Sequence, residues 1–252
     1  MYRFKFFIVI VILIIMHQGT AHAQKPIMSV AIDHAPPFTF IDDKGRPKGL
    51  IIDVMESLRS QLPYDFEYIQ CPWARCLKLV ESGAVDLLPG ATRTQSREQV
   101  FIYIDPPFID RNEVNQFRFY TNKRHLAINT YTDLYPLNIG TLRGSTYNEQ
   151  FENDTTITKI AFVDIQSMFD ALEKNRIDAF IYYDDTVVPL LKEFDPLNKI
   201  SASKLGLPTK QYAYLVMSKK SKHLTQVETI SEQLKALIDE GKIKQLFERY
   251  GL

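Results

Sequence analysis

Residues 85–97 read V-D-L-L-P-G-A-T-R-T-Q-S-R, an apolar run that opens into a loop bearing Arg93, Arg97 and three hydroxyl residues. The apolar part reads as a buried strand, and loops that leave the ends of rigid strands are where binding groups concentrate. An arginine followed by Glu98 and Gln99 fits an ordinary polar helix start as well. The surrounding pattern decides what the strand belongs to. Upstream, Trp73 to Glu81 reads as a helix closed by Gly83, the favoured residue just past a helix end. Before it, Phe66 to Ile69 reads as a strand, and Ile51, Ile52, Met55, Leu58 and Leu62 follow helical spacing. Asp42-Asp43-Lys44-Gly45 is a turn signal, and Ile27 to Ile32 is a strand ending in the loop D-H-A-P-P-F at 33–38. Strand, helix, strand, helix, strand is the pattern of a mostly parallel sheet covered by helices.

Downstream the pattern begins again. Leu137 to Thr141 reads as a strand, Gly144-Ser145-Thr146 as a turn, and Tyr147 to Phe151 as a helix start. Ile160 to Val163 and Ile177 to Tyr182 are further strands, with Met168, Phe169 and Leu172 on one face of a helix between them. Phe117 to Tyr120 and Tyr212 to Met217 are strand-like connectors between the two units. The last 29 residues, from Leu224 to Leu252, form two amphipathic helices split by Gly241, placed to return and cover the first unit. The expected fold class is therefore α/β with two lobes, one of residues 24–118 plus 215–252 and one of 119–214. A ligand cleft is expected between them.

The N-terminus reads as a processing signal. Arg3 and Lys5 precede an 11-residue apolar run from Phe6 to Met16, and Ala21-His22-Ala23 supplies a cleavage pattern before Gln24. Eleven residues are short of the roughly 20 needed to span a bilayer, so residues 1–23 are expected to be removed on export to the periplasm. Their loss takes away two basic residues and no acid, leaving 28 basic against 30 acidic side chains. That balance argues against nucleic acid as a partner. Cys71 and Cys76 are the two cysteines of the chain. Export permits a disulfide between them, whereas Cys76 inside a helix sets a demanding geometry, so bonded and free forms both stand. Two cysteines without a matching histidine pair do not make a zinc site, and no metal or cofactor is expected.

The chain resembles the periplasmic solute-binding proteins of the polar amino-acid uptake family, the two-lobed type-II "Venus flytrap" fold. The likeness spans nearly all of residues 26–251 and rests on motifs in order. They include A-P-P-F-T-F-I-D-D-K-G-R-P-K-G-L-I-I-D-V at 35–54, W-A-R-C-L-K-L-V-E-S-G-A-V-D at 73–86 and T-Q-S-R at 94–97. D-P-P-F at 105–108, G-T-L-R-G-S-T at 140–146, A-L-E-K-N-R-I-D-A at 171–179 and E-G-K-I-K-Q-L-F-E-R-Y-G at the end follow. The resemblance implies that Arg97 clamps a ligand carboxylate, which suits a planar, permanently charged guanidinium. It implies that Thr92 assists, that Trp73 stacks on the ligand, and that Ser145 and Thr146 meet an anion at a helix start. Thr146 as a plain helix cap and Trp73 as plain core remain alternatives.

Departures from the family pattern are equally specific. Amino-acid binders of the family place an aspartate for the α-ammonium five residues beyond the Asp of R-x-D-A; counted from Asp178, that place holds Tyr183, with Asp184 and Asp185 immediately after it as the acids that could take over. A one-residue slip on a strand turns a side chain to the other face. Ala35 stands where an aromatic is common, leaving Phe38 and His34 as the first-loop candidates, and Arg93 as a second positive charge. The expected function is capture of a small carboxylate-bearing solute, an amino acid or a related compound, by a monomer that presents it to an ABC-type membrane permease or a membrane receptor. A dehydratase-like enzyme on the same fold is the alternative, though no G-x-S-x-G, H-E-x-x-H or Walker motif is present. A sensor acting through a separate membrane partner is a third reading.

Overall fold

The computed structural model describes residues 25–110, 116–122, 127–208 and 212–252; the processing signal expected at 1–23 lies outside them. The first unit runs β1 (Ile27–Ile32), a short hairpin β2 (Phe40–Ile41) and β3 (Pro47–Lys48), α1 (Leu50–Gln61), β4 (Asp65–Gln70) and α2 (Trp73–Ser82). It continues through β5 (Leu87–Thr92), the single turn α3 (Gln95–Glu98) and β6 (Phe101–Asp110). The second holds β7 (Gln116–Asn122), β8 (Asn138–Leu142), α4 (Glu149–Asn153), β9 (Thr158–Phe162) and α5 (Ile165–Glu173). After β10 (Ala179–Tyr183), α6 (Asp184–Phe194) and β11 (Ile200–Pro208), the chain closes with β12 (Tyr212–Ser218), α7 (Val227–Asp239) and α8 (Lys242–Arg249).

Ten of the strands make two five-stranded sheets, ordered β4-β1-β5-β12-β6 and β11-β7-β10-β8-β9. In each sheet four strands run one way and one runs against them: β12 in the first and β7 in the second. These reversed strands are the ones by which the chain enters from the other sheet. The chain changes sheet between Asp110 and Gln116, and again between Pro208 and Tyr212, so the lobe boundaries expected at 118/119 and 214/215 fall inside β7 and β12.

The first lobe buries Met28, Val30, Leu50, Met55, Leu58 and Leu87 in one core. Ile230, Leu234 and Leu237 of α7 and Ile243 and Leu246 of α8 complete it, so the terminal helices do return across the chain to the first sheet. The second lobe packs α5 and α6 on one face of its sheet through Met168, Phe169, Leu172, Val187 and Leu190. Phe117, Phe119, Ile139, Phe151 and Ile181 fill the other face.

Three elements were not legible in the residue pattern. β6 carries Pro106 and Pro107, which read against a strand, yet it is an edge strand, where a missing N–H donor is tolerated. β11 is the other lobe's edge strand and is interrupted by a shift in register between Ala202 and Gly206. α6 begins directly at the end of β10 and contains Pro189, a residue that argues against a helix interior.

Cys71 and Cys76 are bonded, with Cα atoms 5.4 Å apart. Cys71 lies two residues before α2 and Cys76 in its first turn, so only one end is held by the helix and the spacing falls in the ordinary disulfide range. At the opposite end of the sheet, Asp86 accepts hydrogen bonds from the Ser29 amide (3.0 Å) and hydroxyl (2.8 Å) and from the Ser221 hydroxyl (2.6 Å). This carboxylate joins β1, the approach to β5 and the turn after β12. Burial opposes its ionisation, but the hydrogen bonds from Ser221 and Ser29 outweigh that and hold it below its ordinary value.

Candidate functional site

The first lobe's β1 and β5 and the second lobe's β8 and β10 all end at a common cleft, the usual ligand position for open α/β sheets. The cleft holds a volume of about 70 Å³ and opens to solvent. Its first-lobe wall is Asp33, Phe38, Trp73, Thr92 and Arg97. The D-H-A-P-P-F loop reaches it because the loop folds onto the start of α1, where the carbonyls of Pro37 and Phe38 accept from the amides of Leu50 (3.0 Å) and Ile51 (2.9 Å). Gly49 sits at that contact with φ +117°, and a Cβ there would stand 2.3 Å from the Phe38 carbonyl oxygen, so a larger residue would push the loop away.

Arg97 lies in the single turn after β5, whose start is capped by the Thr94 hydroxyl accepting from the Arg97 amide at 3.3 Å. Its side chain is buried, with 9% exposure, and its guanidinium is held on two sides. Nη1 donates to the Thr92 hydroxyl (2.6 Å) and carbonyl (2.9 Å), and Nη2 donates across the cleft to the Gly144 carbonyl (2.7 Å). Trp73 Nε1 donates to the same carbonyl at 3.1 Å, and the guanidinium lies 5.7 Å from the Trp73 ring centre. The hydroxyls of Thr92 and Thr146 meet across the lobes at 2.7 Å. Burial pulls the Arg97 pKa down, but a guanidinium keeps its charge at any physiological pH.

Arg97, Thr92, Trp73, Phe38, Ser145 and Thr146 are therefore brought to one cleft. Thr146 does not cap a helix: α4 starts at Glu149, and Asn148 caps it by accepting from the Gln150 amide at 3.0 Å. The helix expected from Tyr147 begins two residues later because Tyr147 is used locally. Its amide donates to Glu152 at 2.6 Å, and its hydroxyl accepts from the Leu142 amide at 2.7 Å.

Three sequence candidates fall elsewhere. His34 is exposed and lines a second cavity of about 430 Å³ that shares Trp73 with the cleft, together with Gln70, Asp164 and Glu193. Asp184 lies off the cleft wall at the start of α6. It accepts from Arg118 Nε at 2.8 Å and from the Tyr120 hydroxyl at 2.5 Å, so both its oxygens are held within the second lobe. Arg93 also turns away. Its guanidinium meets Asp105 at 3.0 Å and stacks between the Tyr103 and Tyr214 rings at 4.7 and 4.5 Å.

Residue spacing overlooked Asp33, Tyr182 and Thr186 as cleft residues, while Tyr183, which stands at the place counted from Asp178, does line the cleft. Asp33 opens onto both cavities and accepts from the Thr39 hydroxyl at 3.0 Å. Its signal was its place as the first residue after β1. Tyr183 stacks on Phe117, with ring centres 4.3 Å apart. Among the described residues no cluster of histidine, cysteine and acidic side chains is suited to a metal ion, and no helix is long and apolar enough to cross a membrane.

Two α/β lobes around a cleft whose buried arginine bridges them define a solute-binding architecture. Residues 28–252 match the family of bacterial extracellular solute-binding proteins, family 3, and the chain belongs to that family. It is a family of binding proteins. A probable histidine-binding protein of Neisseria gonorrhoeae is 23% identical over 221 residues, covering 85% of this chain and 78% of that protein. An ancestral arginine-binding protein bound to glutamine superposes with a TM-score of 0.76 at 20% identity, covering 91% of this chain and 99% of the other. A histidine kinase sensor domain with similarity to periplasmic binding proteins gives 0.76 at 15% identity, covering 90% and 96%. At these identities the structural likenesses establish the fold.

Proposed function

We propose that this protein captures a small carboxylate-bearing solute, an amino acid or a related organic acid, between its lobes in the periplasm and presents it to the permease of an ABC transporter. The observation that carries this reading is Arg97: a buried guanidinium at the mouth of both lobes, held by Thr92 and by the Gly144 carbonyl of the opposite lobe. A ligand carboxylate placed there takes up charge-assisted hydrogen bonds from the fork. It also stands where first-lobe and second-lobe groups meet, so its contacts favour the closed form. Thr92, Thr146 and Ser145 supply hydroxyls beside the carboxylate, and Trp73 and Phe38 supply apolar walls. The lobes are expected to move about the two places where the chain changes sheet.

Names among the relatives support the amino-acid class and the uptake role: a probable histidine-binding protein and the substrate-binding protein of an amino acid ABC transporter. The likeness to a kinase sensor domain supports a second reading, in which a membrane receptor reads the closed form. The test of the ligand reading is a thermal-shift screen of the ligand-stripped chain from Gln24 onward against amino acids, keto acids and dicarboxylates. Binding at a hundredfold excess over Kd adds about 2.7 kcal/mol of stability, a readily measured rise in Tm. The rise is expected to vanish in Arg97→Ala, and a rise that persists there would remove Arg97 from the site.

A further inference from the structure

We propose that Arg93 and Tyr103 are positioning residues for the Arg97 anchor, and that through them the anchor is tied to the two strands that carry the chain between the lobes. The inference rests on Arg97 as the carboxylate anchor and concerns what holds it in place. The link is the Thr92 carbonyl. It accepts from Arg97 Nη1 at 2.9 Å and from the Tyr103 hydroxyl at 2.8 Å, as the two lone pairs of a carbonyl oxygen allow. Tyr103 comes from β6, two places away from β5 in the sheet, so a distant strand fixes the carbonyl that receives the anchor.

Tyr103 is held in turn by Arg93. The Arg93 guanidinium lies 4.7 Å from the Tyr103 ring centre and 4.5 Å from that of Tyr214, and the two rings meet edge to face at 5.4 Å. Tyr214 belongs to β12, which breaks register beside it against both β5 and β6. Irregularities of this kind re-aim a side chain. Asp105 of β6 meets the guanidinium at 3.0 Å and Glu98 lies 3.7 Å from its Nε, while the Asp105 carbonyl accepts from the Ser231 hydroxyl of α7. β6 is the strand by which the chain leaves for the second lobe, and β12 is the strand by which it returns. Arg93 therefore joins the loop of Arg97 to both crossings.

The competing use of Arg93 is a plain surface ion pair. Its side chain and that of Asp105 are 38% and 60% exposed, and pairs so exposed add little to stability. Replacing Arg93 is expected to leave the stability of the fold nearly as it was while it frees Tyr103. The two roles are thus separable by what happens at Arg97.

The test is phenylglyoxal labelling of the ligand-stripped chain from Gln24 onward, with the rate at Arg97 read by peptide mass mapping and Arg59 of α1 as the internal reference. Tyr103→Phe removes the hydroxyl and keeps the ring. It is expected to raise the Arg97 rate about fivefold or more, the worth of one neutral hydrogen bond. Arg93→Met is expected to raise it about threefold through the lost stacking, with the urea midpoint nearly unchanged. Equal Arg97 rates in Tyr103→Phe and the native chain overturn the inference. A rise shared by Arg59 marks general loosening and overturns it as well. A rise in Tyr103→Phe that Arg93→Met does not share overturns the part given to Arg93. Labelling as expected, together with thermal-shift hits that survive Arg97→Ala, overturns the ligand reading and leaves the support of Arg97 by Tyr103 standing.

Discussion

Arg97 is fixed by short-range chemistry before any ligand enters. The Thr94 cap starts a single helical turn, the turn aims the side chain back at the end of β5, and Thr92 receives one arm of the fork. The other arm ends on the Gly144 carbonyl, so an incoming carboxylate replaces a dipole by a full charge at the same donor. Removing one partner of a desolvated, hydrogen-bonded charge pair costs about 2–5 kcal/mol. Arg97→Ala is accordingly expected to weaken carboxylate binding by about 30-fold or more, read by calorimetry. Arg97→Lys is expected to recover little of it, because an ammonium cannot span Thr92 and the opposite lobe together. The resemblance picked out Arg97, Thr92 and Trp73, whereas the residue pattern by itself fitted Arg97 to an ordinary helix start and Trp73 to plain core. It left Asp184 and Tyr183 ambiguous, since a strand that passes directly into a helix changes side-chain period at that point. The structure resolves the ambiguity through Arg118 and Tyr120, which come from a strand more than 60 residues away and hold Asp184 out of the cleft.

At the scale of elements, the disulfide and the Asp86 cluster secure the two ends of the first sheet. The Cys71–Cys76 bond closes a loop of about six residues around Trp73, for which chain-entropy arguments give about 2 kcal/mol. The double substitution Cys71→Ser, Cys76→Ser is expected to lower unfolding free energy by about that amount in urea titrations and to loosen the Trp73 wall of the cleft. Asp86 makes stability depend on acid. Its folded-state pKa lies below the ordinary carboxylate value, so its contribution is present above the unfolded value near 3.8 and is lost as pH falls through the lower folded one. The urea midpoint of the native chain is expected to drop between about pH 5 and pH 2, where Asp residues titrate. Asp86→Asn is expected to flatten that drop; an equal drop in the variant would assign the acid sensitivity to other groups. Periodicity exposed most of these elements, because helices and strands with one buried face carry their period in the apolar residues. β6, β11 and α6 escaped it, since edge strands and a proline-bearing helix draw their order from neighbours and not from their own pattern.

For the whole molecule, the question is what holds the lobes together. The contact is built around Gly144 at φ +80°, which approaches Ala74 and Leu77 of α2 while its carbonyl accepts from Arg97 and Trp73. A Cβ at this position would lie 3.0 Å from Leu77 Cδ1 and would strain a left-handed backbone. Gly144→Ala is therefore expected to favour separated lobes and lower affinity, without a comparable loss in the stability of either lobe. Small-angle scattering should show a larger radius of gyration than for the native chain, and calorimetry a weaker Kd. An unchanged radius with normal affinity would place the closing contact elsewhere. This sensitivity follows from geometry: small contacts between two rigid bodies set an equilibrium that neither body fixes alone.

The order of strands and helices, the two α/β units, the return of the terminal helices and the arginine after β5 were all determined by the amino-acid string. Each is a local property, written in apolar period, turn residues and neighbours a few positions apart. Tertiary structure alone decided that Asp33 faces the cleft with Arg97, and that Asp184 and Arg93 are satisfied elsewhere. It also decided that Cys71 and Cys76 meet within bonding distance. These are distances between groups brought together by chain reversal, and a linear period carries no record of which side chain a distant strand will supply as partner.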